Sequence, residues 1–370
     1  MIVHVCNNYV SSKVHGKIVE KISVLFPGHQ SVFIPIRKKS DAWVNSFFSG
    51  DVSFKYSRYP RFIKYFPFIK VLYNFLKFRR FFKGLDDSLP TRSVLAHTLW
   101  TDGSIAYFAY KAFGLRYSVV IRNTDINIFI PKLPQYRWFV KKIISNADSV
   151  IFVNGVYQQR LSERFPELYR CIRNSWLIYN GLDDFWLGSK FFGDFSSRDC
   201  VCYVGAFNHN KNLRNIYGSV KEARKSNPKI KLVLIGGTQA EFLKVVQSDV
   251  IPNWVSVLGK VKEKEVISSY LRRSFVFSMP SFSETFGLVY LEALSQGCNL
   301  ICSRGEGVDG VVFGDHITLV DPNDVNEIAD AVLNYYGRDF PSGNKKAISE
   351  FLDEFSWERV AHKYFDAIPK

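Results

Sequence analysis

Two carboxylates, Glu284 and Glu292, lie eight positions apart in the segment SMPSFSETFGLVYLEALSQG, which runs from Ser278 to Gly297. An apolar strand pattern precedes this segment, and a short polar loop carries Glu284. A helix is predicted from about Gly287 until just before Gly297, a residue suited to the left-handed position that follows a helix. The pattern therefore places one carboxylate in the loop and the other on the helix that follows it.

The backbone N–H groups of Phe286, Gly287 and Leu288 lie between these carboxylates, at the predicted start of the helix. The first N–H groups of a helix have no intrahelical acceptor, and the helix dipole favours an anion there. Gly287 also allows a ligand to approach the backbone closely. An anion site with a carboxylate on either side suits a ligand with a central diphosphate and hydroxyl-rich groups at both ends, which is a nucleotide-sugar.

The alternative interpretation needs no ligand. Glu284 would then be a partner of the helix dipole, and Glu292 would be a solvated residue on the outer face of the helix. Three leucines lie close to Glu292 in the predicted helix: Leu288, Leu291 and Leu294. We therefore expect the Glu292 side chain to point into a cleft.

Three further polar positions follow predicted strands in the first half of the chain. His97 ends a strand over 93–98, and Arg122 and Asp125 end or follow a strand over 118–123. Open α/β sheets bind ligands at the carboxyl ends of their strands, so these residues are candidates for a site. A structural role for His97, or an ion pair between Arg122 and Asp125, would explain them equally well. Gly16, after the first predicted strand, suits either a phosphate-facing turn or an ordinary helix start.

The composition excludes several classes of protein. The six cysteines form no CxxC pair and have no histidine at zinc spacing, so we expect reduced thiols in a cytoplasmic protein. No apolar run reaches the ~18 residues that a membrane span needs, and the N-terminus has no signal-peptide pattern. The formal net charge of +15 implies an anionic partner.

The residues 54–83 carry much of this charge. Nine lysines and arginines are interleaved with twelve aromatic residues, and no acidic residue is among them. A basic, aromatic and partly helical stretch is typical of an element that lies in the membrane interface, and each Lys or Arg near an anionic leaflet contributes ~1 kcal/mol. The alternative is a helix with a basic solvated face and core-facing aromatics. Single-stranded nucleic acid also binds such surfaces, but no RNP, KH or zinc pattern accompanies this one, so we expect no nucleic acid partner.

The string S-x-x-E-T-F-G-L-x-x-L-E-A-L-x-x-G, ending at Gly297, resembles the Glu-x7-Glu signature of the retaining family 4 glycosyltransferases. That resemblance implies the GT-B fold, an α/β architecture of two Rossmann-like doubly wound parallel-sheet domains facing across a cleft. It also implies that Glu284 meets the donor sugar and that Glu292 holds the ribose hydroxyls. The amides of the residues between them would bind the donor diphosphate.

Other segments extend the resemblance over nearly the whole chain. Asn180 to Asp183 is similar to the Asn-Gly-x-Asp that closes the family's first domain, and the last helix resembles the one that crosses back to it. The implied domains are 1–184 with 356–370 on the acceptor side, and 190–355 on the donor side, with a linker over 188–198. Lys211 matches a diphosphate-binding lysine of the family, whereas Ala206 occupies the position of the family's arginine.

The resemblance assigns roles to the remaining candidates. His97 and Asp125 would join Glu284 as catalytic residues, Arg122 would lie on the acceptor side, and Gly16 would face the donor diphosphate. Alternating strand and helix patterns over the chain agree with two parallel sheets.

The activity implied is retaining transfer of a sugar from a nucleotide-sugar to a glycan or polyprenyl-diphosphate-linked acceptor, by front-face attack. No Asp-x-Asp is present to hold a divalent ion, so neither a metal nor a cofactor is expected. Together with the basic aromatic stretch, this predicts an enzyme of bacterial surface-polysaccharide synthesis on the inner face of the cytoplasmic membrane. Two alternatives remain: a sugar-nucleotide 2-epimerase of the same fold, which would need no acceptor, and a basic membrane-binding protein without catalysis.

Overall fold

The computed structural model describes residues 1–85, 93–193, 198–312, 314–338 and 345–370, so part of the predicted linker (194–197) lies outside the described residues. The chain divides into two compact units. The first comprises Met1–Gly181 with Trp357–Lys370, and the second comprises Leu182–Ser356.

The first unit is built on a seven-stranded sheet in the order β3-β2-β1-β4-β5-β6-β7, and every neighbouring pair is parallel. The strands are β1 (Ile2–Val5), β2 (Gln30–Ile36), β3 (Val52–Arg58), β4 (Ser93–Ala96), β5 (Tyr117–Ile121), β6 (Ser149–Phe152) and β7 (Ser175–Leu177). Most strand residues are β-branched or apolar and buried, as in a parallel sheet covered on both faces. The order is that of a doubly wound fold.

Helices connect these strands and cover both faces of the sheet. They are α1 (Lys13–Leu25), α2 (Pro67–Phe82), α3 (Thr101–Phe113), α4 (Ile130–Lys132), α5 (Arg137–Asn146), α6 (Gly155–Arg164) and α7 (Pro166–Tyr169). Single turns of 3-10 helix cover Tyr9–Ser11, Lys39–Asp41, Arg61–Tyr65 and Pro134–Tyr136, and a π-helical turn covers Asp125–Phe129. Local sequence sets several helix ends: Asn154 caps the start of α6, and Gly114 is left-handed after α3.

The C-terminal helix, Trp357–Ala367, belongs to the first unit and packs beside α1. Its buried face joins α1 and the sheet in one core, and the Phe26 and Phe365 rings stack with centroids 3.7 Å apart. Trp357, the first residue of the helix, lies against Gly181. A Cβ added to Gly181 would lie 2.3 Å from the indole ring, so this position accepts only glycine without a shift of the helix.

The second unit contains a six-stranded parallel sheet in the order β10-β9-β8-β11-β12-β13. The strands are β8 (Cys200–Val204), β9 (Lys231–Ile235), β10 (Val255–Val257), β11 (Ser274–Ser278), β12 (Asn299–Ser303) and β13 (Ile317–Val320). The helices are α8 (Asp184–Gly188), α9 (Leu213–Ser226), α10 (Gln239–Val246), α11 (Lys264–Arg272), α12 (Leu288–Ser295), α13 (Val325–Tyr335) and α14 (Lys345–Asp353), with a 3-10 turn over His209–Lys211.

The predicted two-sheet α/β architecture is confirmed by these two units. The principal difference from the prediction lies in the basic aromatic stretch. Its first part forms the edge strand β3, and only its second part forms the helix α2. In the described part of the chain, none of the helices is both long enough and apolar enough to cross a bilayer.

The contact between Gly181 and Trp357 predicts a large effect of a single methyl group. Gly181→Ala should destabilise the protein by about 1–3 kcal/mol, the usual range for overpacking a filled core site. Gly188→Ala is the matched control, since a Cβ at Gly188 meets nothing within 4 Å. Thermal unfolding of the two variants measures the difference, and equal midpoints would contradict the packing described.

Candidate active site

The crevice of the second unit lies where β8 and β11 are neighbours in the sheet. Chain connections leave these two strands in opposite directions, which opens a crevice at their carboxyl ends. Two loops border it: residues 205–212, between β8 and α9, and residues 279–287, between β11 and α12. Most of the predicted donor-binding residues lie on these loops or directly after them.

Hydrogen bonds join the two loops at several points. The Asn210 carbonyl accepts from the Phe282 N–H at 2.9 Å, and the Asn210 side chain donates to the Ser283 carbonyl at 2.8 Å. The His209 and Phe282 rings stack with centroids 4.9 Å apart. Because both backbone and side-chain groups take part, the first loop is held in register with the second.

Asn212 adds two more bonds from an unusual backbone conformation. Its φ is +57°, a left-handed value that only a few non-glycine residues adopt, and it is 3% exposed. The side-chain Nδ2 donates to the Pro280 carbonyl at 2.9 Å and to the Pro322 carbonyl at 2.6 Å. These two bonds offset the cost of the left-handed backbone and fix the residue directly after Lys211.

Lys211 and Glu284 form an ion pair across the two loops. Both are largely buried, with 23% of the Lys211 side chain and 12% of the Glu284 side chain exposed. The second Glu284 carboxylate oxygen accepts from the Thr285 N–H at 3.0 Å, and the Glu284 N–H donates to Glu306 at 2.8 Å. The predicted diphosphate-binding cation and the predicted sugar-binding carboxylate are therefore brought into direct contact.

The helix start predicted as an anion site is present directly after this pair. Gly287 has φ +73° and precedes α12, which begins at Leu288. A Cβ at Gly287 would lie 2.6 Å from the Tyr290 ring and 3.1 Å from Glu284 Cγ, so the turn requires glycine. No hydrogen-bond acceptor lies against the N–H groups of Gly287 and Leu288 among the described residues, whereas Phe286 is buried at 1% exposure. Gly297, with φ +73°, follows the end of the helix as predicted.

Glu292 lies one turn beyond Leu288 on α12 and is half-buried. Burial raises the pKa of its carboxyl to about 7, while Lys264 opposes that rise and Asp183 adds to it. Lys264 itself pairs with Asp183 at 2.6 Å. A carboxyl that titrates near neutrality is poised to become ionised when hydroxyl donors bind it.

The position of the family's arginine is occupied by Ala206, whose carbonyl accepts from the Tyr203 hydroxyl at 2.8 Å. The backbones at the ends of β8 and β9 approach each other closely, since a Cβ at Gly236 would lie 2.2 Å from the Gly205 carbonyl oxygen.

A cavity of about 580 Å³ opens beside the turn before α9, but neither Lys211 nor Glu284 lines it. We therefore do not assign the predicted donor diphosphate to that cavity.

The corresponding crevice of the first unit lies between β1 and β4. His97 follows β4 and is fully buried. Its Nε2 lies 3.1 Å from Nδ1 of His4, and its Nδ1 lies 3.2 Å from Nδ1 of His15. Both ring nitrogens of His97 are therefore engaged within the protein. Burial lowers the pKa of all three imidazoles, that of His4 to about 4, so the three rings are neutral at pH 7.

Arg122 and Asp125 lie at the same crevice, and their side chains do not form an ion pair with each other. The Arg122 guanidinium donates to the His97 carbonyl at 2.9 Å, and its Nη2 lies 3.4 Å from His15 Nδ1. The Asp125 carboxylate accepts the N–H groups of Leu99, Trp100 and Arg122 at 3.0–3.2 Å. Burial raises the pKa of Asp125 to about 6 in spite of these bonds. Asp125 thus holds the loop after β4, and the catalytic role assigned to it remains a prediction.

One cluster in the described ranges has ligand atoms close enough to share a metal ion. The side chains of Cys6, His15 and His97 are buried, and their ligand atoms lie within 4.8 Å of one another. The Arg122 guanidinium faces Nδ1 of His15, so a divalent cation bound by this cluster would lie against a fixed positive charge.

Gly16 lies in the first turn of α1, where a Cβ would be 2.8 Å from the Asn45 carbonyl oxygen. Its tight packing accounts for a glycine, and the diphosphate contact remains a prediction.

The sequence patterns assign no role to several residues that shape these crevices, among them His4, His15, Asn212 and Glu306. A histidine inside the apolar strand IVHVC is a weak signal, because a buried imidazole has many structural uses. Asn212 follows Lys211 without any local glycine that would mark a left-handed turn. Glu306 is distant in sequence, and only the fold brings it to Glu284.

The geometry of Asn212 predicts unequal effects of two small substitutions. Asn212→Ala keeps the left-handed cost of ~1–2 kcal/mol and loses two side-chain bonds of ~1 kcal/mol each. Asn212→Gly loses only the bonds and should be the more stable of the two by ~1 kcal/mol. Gln247→Ala is the control, since Gln247 is left-handed at φ +55° but its region is exposed. Thermal unfolding decides, and an Asn212→Ala protein as stable as the wild type would contradict this account.

Comparison with known proteins places this geometry in a family context. Residues 189–338 match the family model of the glycosyl transferases group 1. An uncharacterized glycosyltransferase from Methanocaldococcus jannaschii is 25% identical over 285 residues, covering 75% of each chain. The O-antigen chain mannosyltransferase B of Escherichia coli is 31% identical over 173 residues, covering 45% of this chain and 44% of its own.

Solved structures show the same fold. Sucrose-phosphate synthase from Thermosynechococcus elongatus aligns with a TM-score of 0.70 at 18% identity, covering 99% of this chain and 97% of its own. A UDP-forming trehalose-phosphate synthase from Burkholderia vietnamiensis aligns with a TM-score of 0.69 at 13% identity, covering 99% and 98%. The predicted GT-B fold is confirmed. Residues 189–338, within the second unit, are similar to the glycosyl transferases group 1, and the protein is a glycosyltransferase.

Proposed function

We propose that this glycosyltransferase moves a sugar, with retention of anomeric configuration, from a nucleotide-sugar to a lipid-linked glycan acceptor. The observation that carries the donor half is the contact of Lys211 with Glu284 beside the helix start at Gly287 and Leu288. A departing nucleoside diphosphate needs positive charge and N–H donors, and Lys211 with these two amides supplies both. Glu284 would orient the sugar, and Glu292 would hold the ribose hydroxyls.

We also propose that the transfer needs no metal ion. Charge neutralisation at the diphosphate is the usual task of a metal in sugar transfer, and here a half-buried ammonium and a helix N-terminus can perform it. Turnover that survives excess chelator is the expected result. On the acceptor side, we retain Arg122 and Asp125 as proposed residues, with Asp125 shaping the loop that carries His97. Because both ring nitrogens of His97 are engaged within the protein, we propose that His97 acts by positioning its neighbours.

The acceptor class rests on the surface of α2. Its inward stripe (Val71, Asn74 and Phe78) is buried. A second stripe lies on the opposite side of the helix, and its residues are 46–54% exposed: Ile69, Leu72 and Leu76. The turn before the helix adds Phe62 at 65% and Phe66 at 53% exposure. Contiguous exposed apolar residues on a helix mark an interaction surface, because the core does not need them.

Basic residues surround this apolar stripe. Arg79, Arg80 and Lys83 are exposed at the end of α2, and Lys55, Arg58 and Arg61 are exposed before it. Apolar side chains flanked by Lys and Arg fit an anionic bilayer surface, where the chains enter the interface and the cations meet the headgroups. We therefore propose that the protein is peripheral on the inner face of the cytoplasmic membrane, where a polyprenyl-diphosphate-linked acceptor would lie. The O-antigen relative adds support for bacterial surface-polysaccharide synthesis.

Ala206 is the observation that favours a different function. Without the arginine, a protein of this fold could bind membranes and have no catalytic activity. Such a protein would show no turnover with any donor. The third possibility, a sugar-nucleotide 2-epimerase, would consume its nucleotide-sugar without an acceptor, so the dependence of turnover on the acceptor separates it from a transferase.

The pairing of Lys211 and Glu284 predicts the effect of removing the carboxylate. Glu284→Ala should reduce sugar transfer by at least about 100-fold, the usual effect of losing one group that stabilises the transition state. Folding should change by less than about 1 kcal/mol, because Lys211 remains partly solvated. Nucleoside diphosphate release from a panel of nucleotide-sugars measures it, with the exposed Glu265→Ala as control. Near-wild-type turnover of Glu284→Ala would refute the assignment.

The basic residues at the end of α2 predict charge-dependent membrane binding. Arg79→Gln, Arg80→Gln and Lys83→Gln together should weaken binding to phosphatidylglycerol vesicles at least tenfold, at ~1 kcal/mol for each charge. Lys221→Gln, Lys229→Gln and Lys244→Gln remove the same net charge from exposed sites of the second unit and should change binding little. Vesicle co-sedimentation distinguishes the two triple variants. Equal losses would show that net charge, rather than this surface, governs binding.

A further inference from the structure

Three buried imidazoles of the first unit form an unbroken chain of hydrogen bonds. His4 Nδ1 lies 3.1 Å from His97 Nε2, and His97 Nδ1 lies 3.2 Å from His15 Nδ1, with each ring at most 2% exposed. In a neutral imidazole one nitrogen donates and the other accepts. The direction of any one bond therefore fixes the direction of all the others.

Arg122 determines the direction at one end of the chain. Its Nη2 lies 3.4 Å from Nδ1 of His15, and its Nε bond to the His97 carbonyl holds the guanidinium in place. A guanidinium always carries its charge and has no acceptor, so it favours a lone pair on the nitrogen that it faces and disfavours an N–H. Nδ1 of His15 is consequently the accepting nitrogen, and its proton resides on Nε2.

The remaining protons follow from this end. His97 donates from Nδ1 to His15 and accepts at Nε2 from Nδ1–H of His4. Nε2 of His4 is then an acceptor and requires a donor. Among the described residues the group that faces it is the Gln30 carboxamide, whose oxygen is placed 2.8 Å away. The two ends of a carboxamide have the same shape, and turning the NH₂ toward His4 supplies that donor. The opposite orientation buries Nε2 of Gln30 without an acceptor, which is the costlier arrangement.

Of the three ring N–H groups, this pattern leaves one that can donate to a group outside the chain of histidines. Both nitrogens of His97 are used inside the chain, and so are both nitrogens of His4. Nε2 of His15 has no hydrogen-bond partner among the described residues and is not one of the fully buried unpartnered atoms, although His15 as a whole is 2% exposed. It is therefore the end of the chain that a ligand could meet.

We propose that His15, and not His97, contacts the substrate, donating its Nε2–H to an anionic oxygen such as that of a phosphoryl group. His97 and His4 are then positioning residues that fix the tautomer and orientation of His15. The adjacent Arg122 guanidinium makes the surroundings of this N–H electropositive, which favours an oxygen with negative charge. This inference rests on the proposed transferase function, since it names a further contact of the same reaction.

The direct test is the tautomeric state of each histidine in the full-length protein. Two-bond ¹H–¹⁵N spectra of ¹⁵N-histidine-labelled protein distinguish Nδ1–H from Nε2–H, and single His→Gln variants assign the signals. We expect Nδ1–H at His4 and His97, and Nε2–H at His15. Wild-type His97 protonated on Nε2 would overturn the proposal. Arg122→Gln should reverse or mix the pattern, and an unchanged pattern would exclude Arg122 as its cause.

Kinetics test the contact itself. His15→Ala should lower kcat/KM about 100-fold. His15→Gln should recover about tenfold, because its carboxamide N–H reaches the place of Nε2–H. His97→Asn keeps a donor at the Nδ1 position and should stay within about fivefold of the wild type, a loss of no more than one ordinary hydrogen bond. The reverse ranking, with His97→Asn the most damaged, would overturn the proposal. A wild-type protein inactive with every donor would refute the transferase function and leave the tautomer measurement intact.

Discussion

In both units, the connections leave two neighbouring central strands in opposite directions. The first sheet has this arrangement at β1 and β4, and the second has it at β8 and β11. Right-handed crossovers then cover opposite faces of the sheet, and no helix covers the carboxyl ends between those strands. The polar groups of the two crevices depend on this constraint, because it is there that residues from distant parts of the chain come together.

Within the second unit, the constraint brings a cation and a carboxylate into contact. Lys211 and Glu284 satisfy each other, and hydrogen bonds from Asn210 and Asn212 hold their loops together. Under the proposed function, binding of the donor would therefore need little rearrangement of the backbone and chiefly an exchange of ionic partners. Such preorganisation places the cost of ordering the site in folding rather than in catalysis. It also explains how the site can retain its geometry with Ala206 at the family's arginine position.

The sequence was most informative where one short segment contains both the candidate site residues and the signals that set its secondary structure. The segment from Glu284 to Gly297 predicted the loop, the helix start and the left-handed glycine, because a helix needs only neighbouring residues to specify its ends. The edge strand β3 was missed, since its basic and aromatic residues differ from the apolar pattern of a buried parallel strand. The histidine chain could not be predicted either. His4, His15 and His97 are joined only by the order of β1 and β4 in the sheet, and no local signal encodes that order.

The contrast between Lys211 and Asn212 has the same origin. A lysine before a helix is visible as a candidate phosphate ligand from its type alone. The role of Asn212 depends on two carbonyls, at Pro280 and Pro322, that are far away in sequence. Residues proposed to contact a ligand are thus recognised from their chemistry, whereas residues that position them are recognised only from the fold.

The proposed donor site in the second unit is tested most directly by ligand-induced stabilisation of the full-length protein. Thermal unfolding with UDP, GDP, ADP, dTDP and CMP should show one nucleotide raising the midpoint, since a ligand that binds only the native state stabilises it. The effect should disappear in Glu292→Ala. In the wild type it should be larger at pH 8 than at pH 6, because the Glu292 carboxyl, whose pKa is raised to about 7, must be ionised to accept the ribose hydroxyls. Equal stabilisation of Glu292→Ala, or no response to any nucleotide at millimolar concentration, would contradict the account.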